Sequence, residues 1–463
     1  MKESRTVLNR ALEINLNPQI YGTFAEIGAG QEVARFFFQA GKASQTIAKT
    51  ISAYDMVYSD EIYGKEASGR YVCESRLVKM LDKEYNLMHR RLDKTRGANT
   101  CFFAFANTVA TGDQNKRPTH GWMGVRFQTR PGGPSNDIIM HVRLLDKFRL
   151  LQQEILGVLG VNLVYTAFTC IQNPEEVLSS LVENIKTGQV AIDLIRFEGP
   201  DLKHLNNHLM NLELVRRGLA DAVLFGPNQE ILTISDELFG KSAVIQRGTY
   251  RPVTTTHVDV LEKGLDQFKK DFPEDSKKCM VMFELTMQNL MQDGHLQEKD
   301  FLDRVTSLCS LGHNVLVSNF FLFYRLKTFL RNYTQKPMVL IMGASHLDRL
   351  FDEKHYLDLE GGLLEGLGKL LDEKTRVYVY PHKTDKSCTT TKTYFPDPKW
   401  VPIYQYFIAQ KQICDISGCD ETEEYLHSDF VRDLIIKKDT RWEKLVPAKV
   451  RDQIKKENLF NFF

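Results

Sequence analysis

The sequence has almost no net charge. Its 463 residues include 60 Lys and Arg against 59 Asp and Glu, which leaves a formal net charge of +1. Such a balance provides no global attraction to nucleic acid or to an anionic membrane, so neither is an expected partner. With 43% hydrophobic and 26% charged residues, the composition is typical of globular proteins and excludes extensive disorder.

Long apolar runs and closely spaced cysteine pairs are also missing. No run approaches the ~20 apolar residues that cross a bilayer, and the first residues lack the apolar core of a secretory signal. The eight cysteines are scattered without a C-x-x-C pair, and a disulfide framework is not expected in a chain of this size. These absences predict a soluble protein of the reducing cytoplasm.

Motifs that would name a reaction are absent as well. The sequence contains no G-x-x-x-x-G-K-[ST] loop, no H-E-x-x-H, no G-x-S-x-G and no kinase set. His204 and His208 lie one helical turn apart, but the pattern offers no third ligand, so no metal site is predicted. Predictions about function therefore depend on the fold class and on polar residues at strand ends.

Between residues 137 and 381, short apolar runs alternate with amphipathic helical patterns. Nearly continuous apolar runs of this length are typical of parallel strands buried on both faces. The eight predicted strands are 138–144, 161–167, 190–197, 221–227, 279–285, 314–319, 337–343 and 376–381. The sequence thus predicts an α/β protein with a mostly parallel sheet core, either two doubly wound halves (137–270 and 277–382) or one closed barrel.

Two further segments flank this block. Residues 1–130 are predicted as an N-terminal α+β segment, and the Pro- and Gly-rich stretch 130–136 as its boundary. Residues 383–463 form a C-terminal appendage with an aromatic end, Leu-Phe-Asn-Phe-Phe. If these aromatic rings were exposed to solvent, they would promote aggregation. We therefore expect them to dock on the body or on a second subunit of a homo-oligomer.

A glycine turn opens the first predicted helix, in the run Phe-Ala-Glu-Ile-Gly-Ala-Gly-Gln-Glu at 24–32. A strand, a glycine turn and a helix together bring backbone N–H groups toward a phosphate or carboxylate, which makes Gly28 and Gly30 candidate ligand-binding residues. The run resembles the first motif of S-adenosylmethionine-dependent methyltransferases, with Glu32 in place of the third glycine. That resemblance implies that Asp55 holds the ribose hydroxyls. The alternative is a turn that needs glycine for its φ angles.

A second group of candidates follows the predicted strands. Arg247 and Arg251 surround a glycine in a loop, where arginine pairs hold phosphates or carboxylates; surface salt bridges are the alternative. Gly343 and His346 come at the carboxyl end of a strand, where ligands of open α/β sheets bind. Glu284 lies at another strand end. We predict Arg247, Arg251 and Gly343 as ligand-binding residues and Glu284 and His346 as proton-transfer residues.

Three runs, at 24–33, 218–225 and 361–365, together resemble a little-characterised bacterial family of similar length. Members of that family are sometimes labelled nicotinate-nucleotide adenylyltransferase, which implies nucleotidyl transfer from ATP with Mg²⁺. The label requires an H-x-G-H motif. The nearest string, at 118–122, contains a single histidine, so no residue takes its role from the family.

The leading prediction is an enzyme that acts on a nucleotide or another phosphorylated or carboxylated small molecule, with nucleotidyl transfer among the reactions considered. Mg²⁺ is expected only for nucleotide transfer, and no other cofactor is predicted. Two alternatives stay open. One is a non-catalytic homo-oligomeric scaffold, and the other is a methyltransferase dependent on S-adenosylmethionine.

Overall fold

The computed structural model describes residues 5–112, 119–292, 295–384, 386–422 and 426–462. The chain divides into two compact units, Met1–Ala220 and Asp221–Phe463. Each unit has its own large sheet with helices packed on it, so the predicted α/β class is confirmed. Among the described helices, none has both the length and the apolar character that a membrane span requires.

The first unit is built on one six-stranded sheet. Its strands are β1 (Ile20–Gly28), β2 (Ile47–Ala53), β3 (Cys101–Ala110), β4 (His120–Gln128), β5 (Ser135–Leu144) and β6 (Val190–Glu198). Their order across the sheet is β2-β1-β3-β4-β5-β6. The pairs among β1, β2 and β3 are parallel, whereas β3 to β6 pair antiparallel.

Helices cover both faces of this sheet. They are α1 (Val7–Leu16), α2 (Gln31–Ala40), α3 (Met56–Tyr63), α4 (Glu74–Leu92), α5 (Arg149–Thr169), α6 (Pro174–Leu181) and α7 (Asn207–Arg216). On the face of α2, the Phe24 ring lies 5.1 Å from Phe37 and 5.6 Å from Phe105. Successive residues of a strand face opposite sides of the sheet. Gly124 is next along β4 to the residue that pairs with Phe105, so it faces away from α2, and it lies against leucines of α4. Helix α4 therefore packs on the opposite face.

One predicted strand, residues 161–167, is wrong. The segment lies in the middle of α5 and is buried along its whole length. A helix that is apolar on every side loses the 3.6-residue period, so its sequence cannot be distinguished from a buried strand by periodicity. Packing between α2 and the sheet, not local pattern, selects the helix here.

The chain also divides at a different place from the predicted boundaries. Predicted strands 138–144 and 190–197 are the antiparallel β5 and β6 of the first unit. The Pro- and Gly-rich stretch 130–136 includes the turn between β4 and β5. Proline and glycine interrupt a strand equally well at a hairpin and at a domain boundary, so composition alone does not separate the two.

The second unit contains an eight-stranded sheet and two short ribbons. Its strands are β7 (Ala222–Phe225), β8 (Ile231–Leu232), β9 (Ser242–Arg247), β10 (Cys279–Thr286), β11 (Met291–Gln292), β12 (His295–Leu296), β13 (Asn314–Ser318), β14 (Met338–Gly343), β15 (Thr375–Tyr380), β16 (His382–Lys383), β17 (Cys388–Thr389) and β18 (Ile413–Asp415). The order in the large sheet is β18-β15-β14-β9-β10-β13-β7-β8, and the ribbons are β11-β12 and β16-β17. Six strands, from β18 to β13 in that order, are parallel.

The helices of this unit are α8 (Ile234–Leu238), α9 (Thr255–Asp271), α10 (Met287–Leu290), α11 (Glu298–Cys309), α12 (Phe323–Arg331), α13 (Leu347–Phe351), α14 (Gly362–Leu370), α15 (Val401–Ala409), α16 (Ser428–Ile436) and α17 (Ala448–Glu457). The aromatic end docks on this unit. Phe460 is buried and its backbone N–H donates to Asp303 at 2.7 Å, and the Phe462 ring lies 5.6 Å from Trp442. Phe463 lies outside the described residues.

The order in which the chain adds parallel strands to this sheet reverses once. The chain proceeds outward from β9 to β10 and β13, then continues on the other side of β9 with β14, β15 and β18. This is the doubly wound order 3-2-1-4-5-6, in which ligands bind outside the carboxyl ends of the strands at the point of reversal. The point of reversal lies between β9 and β14.

Two cysteines of this unit are joined, which the sequence analysis did not predict. Cys388 on β17 and Cys419 form a disulfide across 31 residues of sequence. The remaining six cysteines are free thiols. A pairing between distant cysteines has no local signature, because sequence spacing alone does not show which residues the fold brings together.

Candidate functional site

A cavity of about 550 Å³ opens at the carboxyl ends of the parallel strands of the second unit. Gln246 and Arg247 at the end of β9, Thr286 of β10, Gly343 of β14 and Tyr380 of β15 line it. It therefore lies at the point where the strand order reverses. Its volume is within the range of roughly 300–1,000 Å³ that small-molecule sites have.

The walls of the cavity are largely apolar and aromatic. Phe321 and Phe323 come from the segment after β13, and Leu350 and Tyr356 from the segment after β14. The hydroxyl of Tyr356 donates to the carbonyl of Leu350 at 2.8 Å, so this ring has a fixed polar end. Aromatic walls of this kind suit a ligand with a planar ring.

Arg247 lines the cavity, but most of its guanidinium is committed to the protein. It donates to both carboxylate oxygens of Glu284, at 2.8 and 2.9 Å, and to the carbonyls of Phe320 and Phe321, at 2.8 and 2.6 Å. The Phe323 ring lies 4.2 Å from its centre. Arg247 thus holds the segment after β13 against the ends of β9 and β10.

Glu284 lies beneath Arg247 and is completely buried. In addition to the two bonds from Arg247, it accepts a hydrogen bond from the Ser318 hydroxyl at 2.6 Å. Both of its oxygens are therefore occupied, and the residue does not line the cavity. The structure places Glu284 as the buried partner of an ion pair, away from the cavity surface where a proton-transfer residue would meet a ligand.

Arg251 lies outside this cavity. Its Nε donates to Asp300 of α11 at 2.6 Å, and Arg304 forms a second ion pair with the same carboxylate. The loop after β9 thus turns Arg251 toward α11, and the structure does not bring the two predicted arginines to one ligand. Arg251 forms a salt bridge, which was the alternative to ligand binding.

Three histidines and one arginine of the lining come from the segments after β14 and β15. His346 and Arg349 follow β14, His382 belongs to β16, and His427 comes directly before α16. Arg349 is exposed, and within the described residues it makes no hydrogen bond or ion pair. Asp429 is the acidic member of the described lining. The cavity therefore offers an uncommitted guanidinium close to three histidines.

His346 is a cavity-lining histidine with a lowered pKa. Desolvation in the cavity wall lowers the pKa of its imidazole, and the nearby Arg349, His382 and Arg247 lower it further. The ring is therefore neutral near pH 7 and is able to accept a proton. Its side chain stays accessible at the cavity surface, so a bound molecule can reach it.

A fourth histidine of the lining, His257, has a structural role. Its Nδ1 accepts the backbone N–H of Thr254 at 3.0 Å and lies 2.9 Å from the Thr254 hydroxyl, which completes a capping box at the start of α9. Burial lowers the pKa of His257 to about 4. The neutral ring caps the helix because a protonated Nδ1 could not accept.

The glycine turn belongs to the first unit, and close packing accounts for both glycines. Gly28 has φ +81° and Gly30 has φ +144°, values that favour glycine. A Cβ on Gly28 would lie 2.2 Å from the carbonyl oxygen of Val109, and one on Gly30 would lie 2.2 Å from the Asn107 amide. The turn is therefore pressed against the end of β3.

A shallow depression of about 390 Å³ lies beside this turn, between α2 and β2. Its lining includes Glu26, a buried carboxyl whose pKa is raised by burial and which accepts from Ser52 at 2.8 Å. Asp55, the expected ribose ligand, caps α3 by accepting the Tyr58 N–H at 2.8 Å. Glu32 forms an ion pair with Arg35. These carboxylates have local structural partners.

The other sequence candidates have structural partners too. His204 lies 3.0 Å from the carbonyl oxygen of Ile171. Of the string at 118–122, Pro118 lies outside the described residues, and His120 Nδ1 lies 3.0 Å from His141 Nε2. In the part of the chain that the structure describes, no group of three or more His, Cys, Asp or Glu side chains is arranged to hold a metal ion.

Sequence reasoning missed Arg349, His382 and His427. Arg349 and His382 had a signal, because each comes within a few residues of the end of a predicted strand, as His346 does. His427 had none. It reaches the cavity from the start of α16, more than forty residues beyond β15, through tertiary folding alone.

Comparison with known proteins yields a partial structural likeness. No protein-family model matches the chain, and no curated protein matches its sequence. A competence or damage-inducible protein from Enterobacter asburiae is 13% identical, with a TM-score of 0.27, over 35% of this chain and 98% of its own. The protein CihA from Agrobacterium tumefaciens is 14% identical, with a TM-score of 0.24, over 35% and 93%.

A competence-damaged protein (CinA) superfamily member from Escherichia coli is similar to the same degree. It is 14% identical, with a TM-score of 0.26, over 36% of this chain and 94% of its own. A likeness at this level of identity and TM-score carries no argument about the activity of the chain. The candidate function therefore depends on the geometry of the cavity.

Proposed function

We propose that the second unit is an enzyme domain that acts on a small anionic molecule, with nucleotides as the leading class. The observation that carries this proposal is the pairing of an uncommitted Arg349 with a neutral His346 in one cavity at the reversal point of a doubly wound sheet. Sites of this fold class bind their ligands at this edge.

Arg349 is the proposed anion-binding residue. A guanidinium without protein partners forms charge-assisted, bidentate hydrogen bonds with phosphate or carboxylate oxygens. The rings of His382 and His427 line the same cavity, and the aromatic wall around Phe321 and Phe323 offers a surface for a planar base. This combination supports a nucleotide or another phosphorylated or carboxylated molecule that carries a ring.

His346 is the proposed general base. A neutral imidazole accepts a proton from a hydroxyl or a water that attacks the bound phosphoryl or acyl group. The resulting imidazolium lies near Arg349 and His382, so repulsion favours release of the proton to the leaving group. Gly343, at the end of β14, lines the cavity and is proposed to contact the ligand. In a nucleotidyl transfer, Mg²⁺ would be brought in with the phosphates of the nucleotide.

The two alternatives receive less support. A non-catalytic scaffold is expected to have a closed or apolar strand edge, whereas this edge is a deep cavity with His and Arg side chains. A methyltransferase needs an open glycine turn, whereas Asn107 and Val109 press against Gly28 and Gly30.

The test is a thermal-shift screen of the purified chain against AMP, ATP, nicotinate mononucleotide, sugar phosphates and S-adenosylmethionine, with and without Mg²⁺. A ligand at ~100 times its Kd adds roughly 2.7 kcal/mol and raises the melting temperature by a few degrees. We expect Arg349→Ala to abolish the shift and Arg451→Ala, a half-buried arginine on α17 that does not line the cavity, to retain it. No shift with any compound, or equal shifts in both variants, would refute the proposal.

A further inference from the structure

Gln246 lies at the centre of the strand edge that forms the candidate cavity. It is next to the last residue of β9 and pairs with Phe283 of β10 and Ile341 of β14, so it stands where the strand order reverses. The residue is only 4% exposed, and it lines the cavity. A buried amide at such a position requires hydrogen-bond partners for both its nitrogen and its oxygen.

The orientation of the Gln246 amide is fixed by α9. Its Nε2 donates to the backbone carbonyl of His257 at 3.1 Å. A carbonyl oxygen only accepts, so the amide end next to it must be the nitrogen, and the other end is the Oε1 acceptor. Nearby hydroxyls donate elsewhere: that of Tyr250 to the backbone carbonyl of Gln246 at 2.6 Å, and that of Tyr380 to Asp259 at 2.6 Å.

The oxygen of this amide is left without a partner. Gln246 Oε1 is buried, and none of the described residues donates a hydrogen bond to it. A buried acceptor without a partner is unfavourable, because it has given up its hydrogen bonds to water. In a residue that lines a cavity, such an atom indicates a bound molecule that supplies the missing donor.

His257 adds a donor to the same part of the lining. Its Nδ1 accepts the backbone N–H of Thr254 at 3.0 Å, so the neutral ring carries its proton on Nε2. Gln246 and His257 therefore offer one acceptor and one donor, and Val260 and Tyr380 line the cavity beside α9 as well. An aminopurine matches this pair with its amino group and an unprotonated ring nitrogen. A carboxamide matches it with its N–H and its carbonyl.

We propose that Gln246 is a specificity-determining residue that selects ligands with an amino or carboxamide group, whose N–H donates to Oε1. The inference rests on the function proposed above, and it narrows the ligand class to nucleotides that carry such a group. Arg349 remains the residue for the anionic end. A ligand with a carbonyl or carboxylate at the same position brings a second acceptor against Oε1, and repulsion between the two oxygens weakens its binding.

A purely structural role for Gln246 makes a different prediction. The hydrogen bond from Nε2 ties β9 to α9, and its loss would disturb the cavity for every ligand alike. Such a role leaves the preference between two related ligands unchanged. The ratio of two dissociation constants therefore separates the two roles, whereas a single affinity does not.

The first test uses the wild-type chain and pairs of ligands that differ in one group. AMP carries an amino group where IMP carries a carbonyl, and nicotinamide mononucleotide carries a carboxamide where nicotinate mononucleotide carries a carboxylate. Calorimetric titration gives the four dissociation constants. We expect at least one pair to show about tenfold or more tighter binding of the N–H donor, and the pair that does so identifies the group. Equal binding within both pairs, or a preference for IMP and nicotinate mononucleotide, would overturn the inference.

The second test removes the amide. Gln246→Met keeps the length of the side chain but has neither the donor nor the acceptor, and we expect the preference to fall to about twofold or less. Gln267→Met is the matched control, since this glutamine of α9 bonds to Asp271 and does not line the cavity. It should keep the wild-type ratio. An undiminished ratio in Gln246→Met would show that another residue selects the ligand. If this variant does not fold, the ligand pairs with the wild type still decide.

Failure of this inference is distinguishable from failure of the proposed function. If AMP binds and Arg349→Ala abolishes its binding, but neither pair shows a preference, the role of Gln246 is refuted and the function stands. If none of the four nucleotides binds the wild-type chain, the nucleotide class itself is wrong, and the role of Gln246 is refuted with it.

Discussion

The two units of this chain share a reversal of strand order but differ in the side chains that surround it. Each contains parallel strands whose order reverses, between β1 and β3 in the first unit and between β9 and β14 in the second. In the first unit Asn107 and Val109 close the turn after β1, and the neighbouring depression contains the carboxyl of Glu26. In the second unit the same kind of edge opens into a cavity that contains Arg349 and four histidines.

The comparison shows that strand order provides a place for a site without providing its chemistry. The side chains at the strand ends decide whether the place is open and which charge it carries. By this argument the proposed anion site belongs to the second unit, since the arginine of the depression in the first unit, Arg35, is already paired with Glu32. The predictions below test that contrast, in order of decreasing expected effect.

The largest effect is expected from breaking the buried ion pair under the cavity. Arg247→Ala leaves Glu284 buried without its cationic partner, which costs about 3–5 kcal/mol of unfolding free energy in the second unit. Urea denaturation in a Trp122→Phe background measures this, because the remaining Trp400 and Trp442 both belong to the second unit. Arg247→Met/Glu284→Leu should recover much of the loss. A loss below 1 kcal/mol in the single variant would show that the pair is not essential to this unit.

The next effect is a pH dependence from His257. Its pKa is about 4 in the folded unit and about 6.5 in the unfolded chain. As the pH falls from about 6.5 to about 4, the unfolded chain binds a proton that the folded unit excludes, so stability falls by about 3 kcal/mol. His257→Gln retains an acceptor for the capping box and removes the titration. Urea denaturation between pH 7 and 4.5 should show a shallower decline for this variant, and parallel declines would contradict the assignment.

An intermediate effect is expected in the first unit. Gly30→Ala places a Cβ against the Asn107 amide at φ +144°, which should cost about 2 kcal/mol or more. Gly41→Ala is the matched control, since its φ is also positive but no atom lies within 4 Å of the added Cβ. Hydrogen exchange in β1 and β3 reports the loss. If Gly30→Ala also removed the thermal shift by a nucleotide, the contrast between the units would be wrong, because the glycine turn would then be part of the ligand site.

The smallest change in unfolding free energy is expected for Arg349→Ala, the variant for which the largest loss of ligand binding is expected. Arg349→Ala removes an exposed side chain without a described protein partner, so the unfolding free energy should change by less than about 0.5 kcal/mol. Calorimetry of the free variant measures this. A destabilisation comparable to that of Arg247→Ala would mean that Arg349 has a structural role, and its loss of ligand shift could not then be attributed to binding.

Much of the local structure was predictable because short-range patterns encode it. Helix α4 is an example, because its apolar residues recur on one stripe of the helix. Strands β10, β13, β14 and β15 lie where continuous apolar runs predicted them. The same rule failed at 161–167, where burial on all sides removed the helical period from α5.

The site was predictable only in part, for a related reason. Ligand sites of open α/β sheets lie after the carboxyl ends of strands, so His346 and Gly343 were identifiable and both line the cavity. Arg247 also lines the cavity. The sequence does not show whether an arginine at a strand end contacts a ligand or, as here, a buried carboxylate such as Glu284. Arg251 could not be assigned without knowing that α11 presents Asp300 to it.

The sequence by itself determined the α/β class, the type of most elements and the position of polar residues at strand ends, because these depend on neighbours within a few residues. The tertiary structure alone decided the division at Ala220, the strand order and the pairing of Cys388 with Cys419. It also decided that Arg349, and not Arg251, is the arginine available to a ligand in the cavity. These features join residues far apart along the chain, and their partners are selected by packing of whole elements, which no local period records.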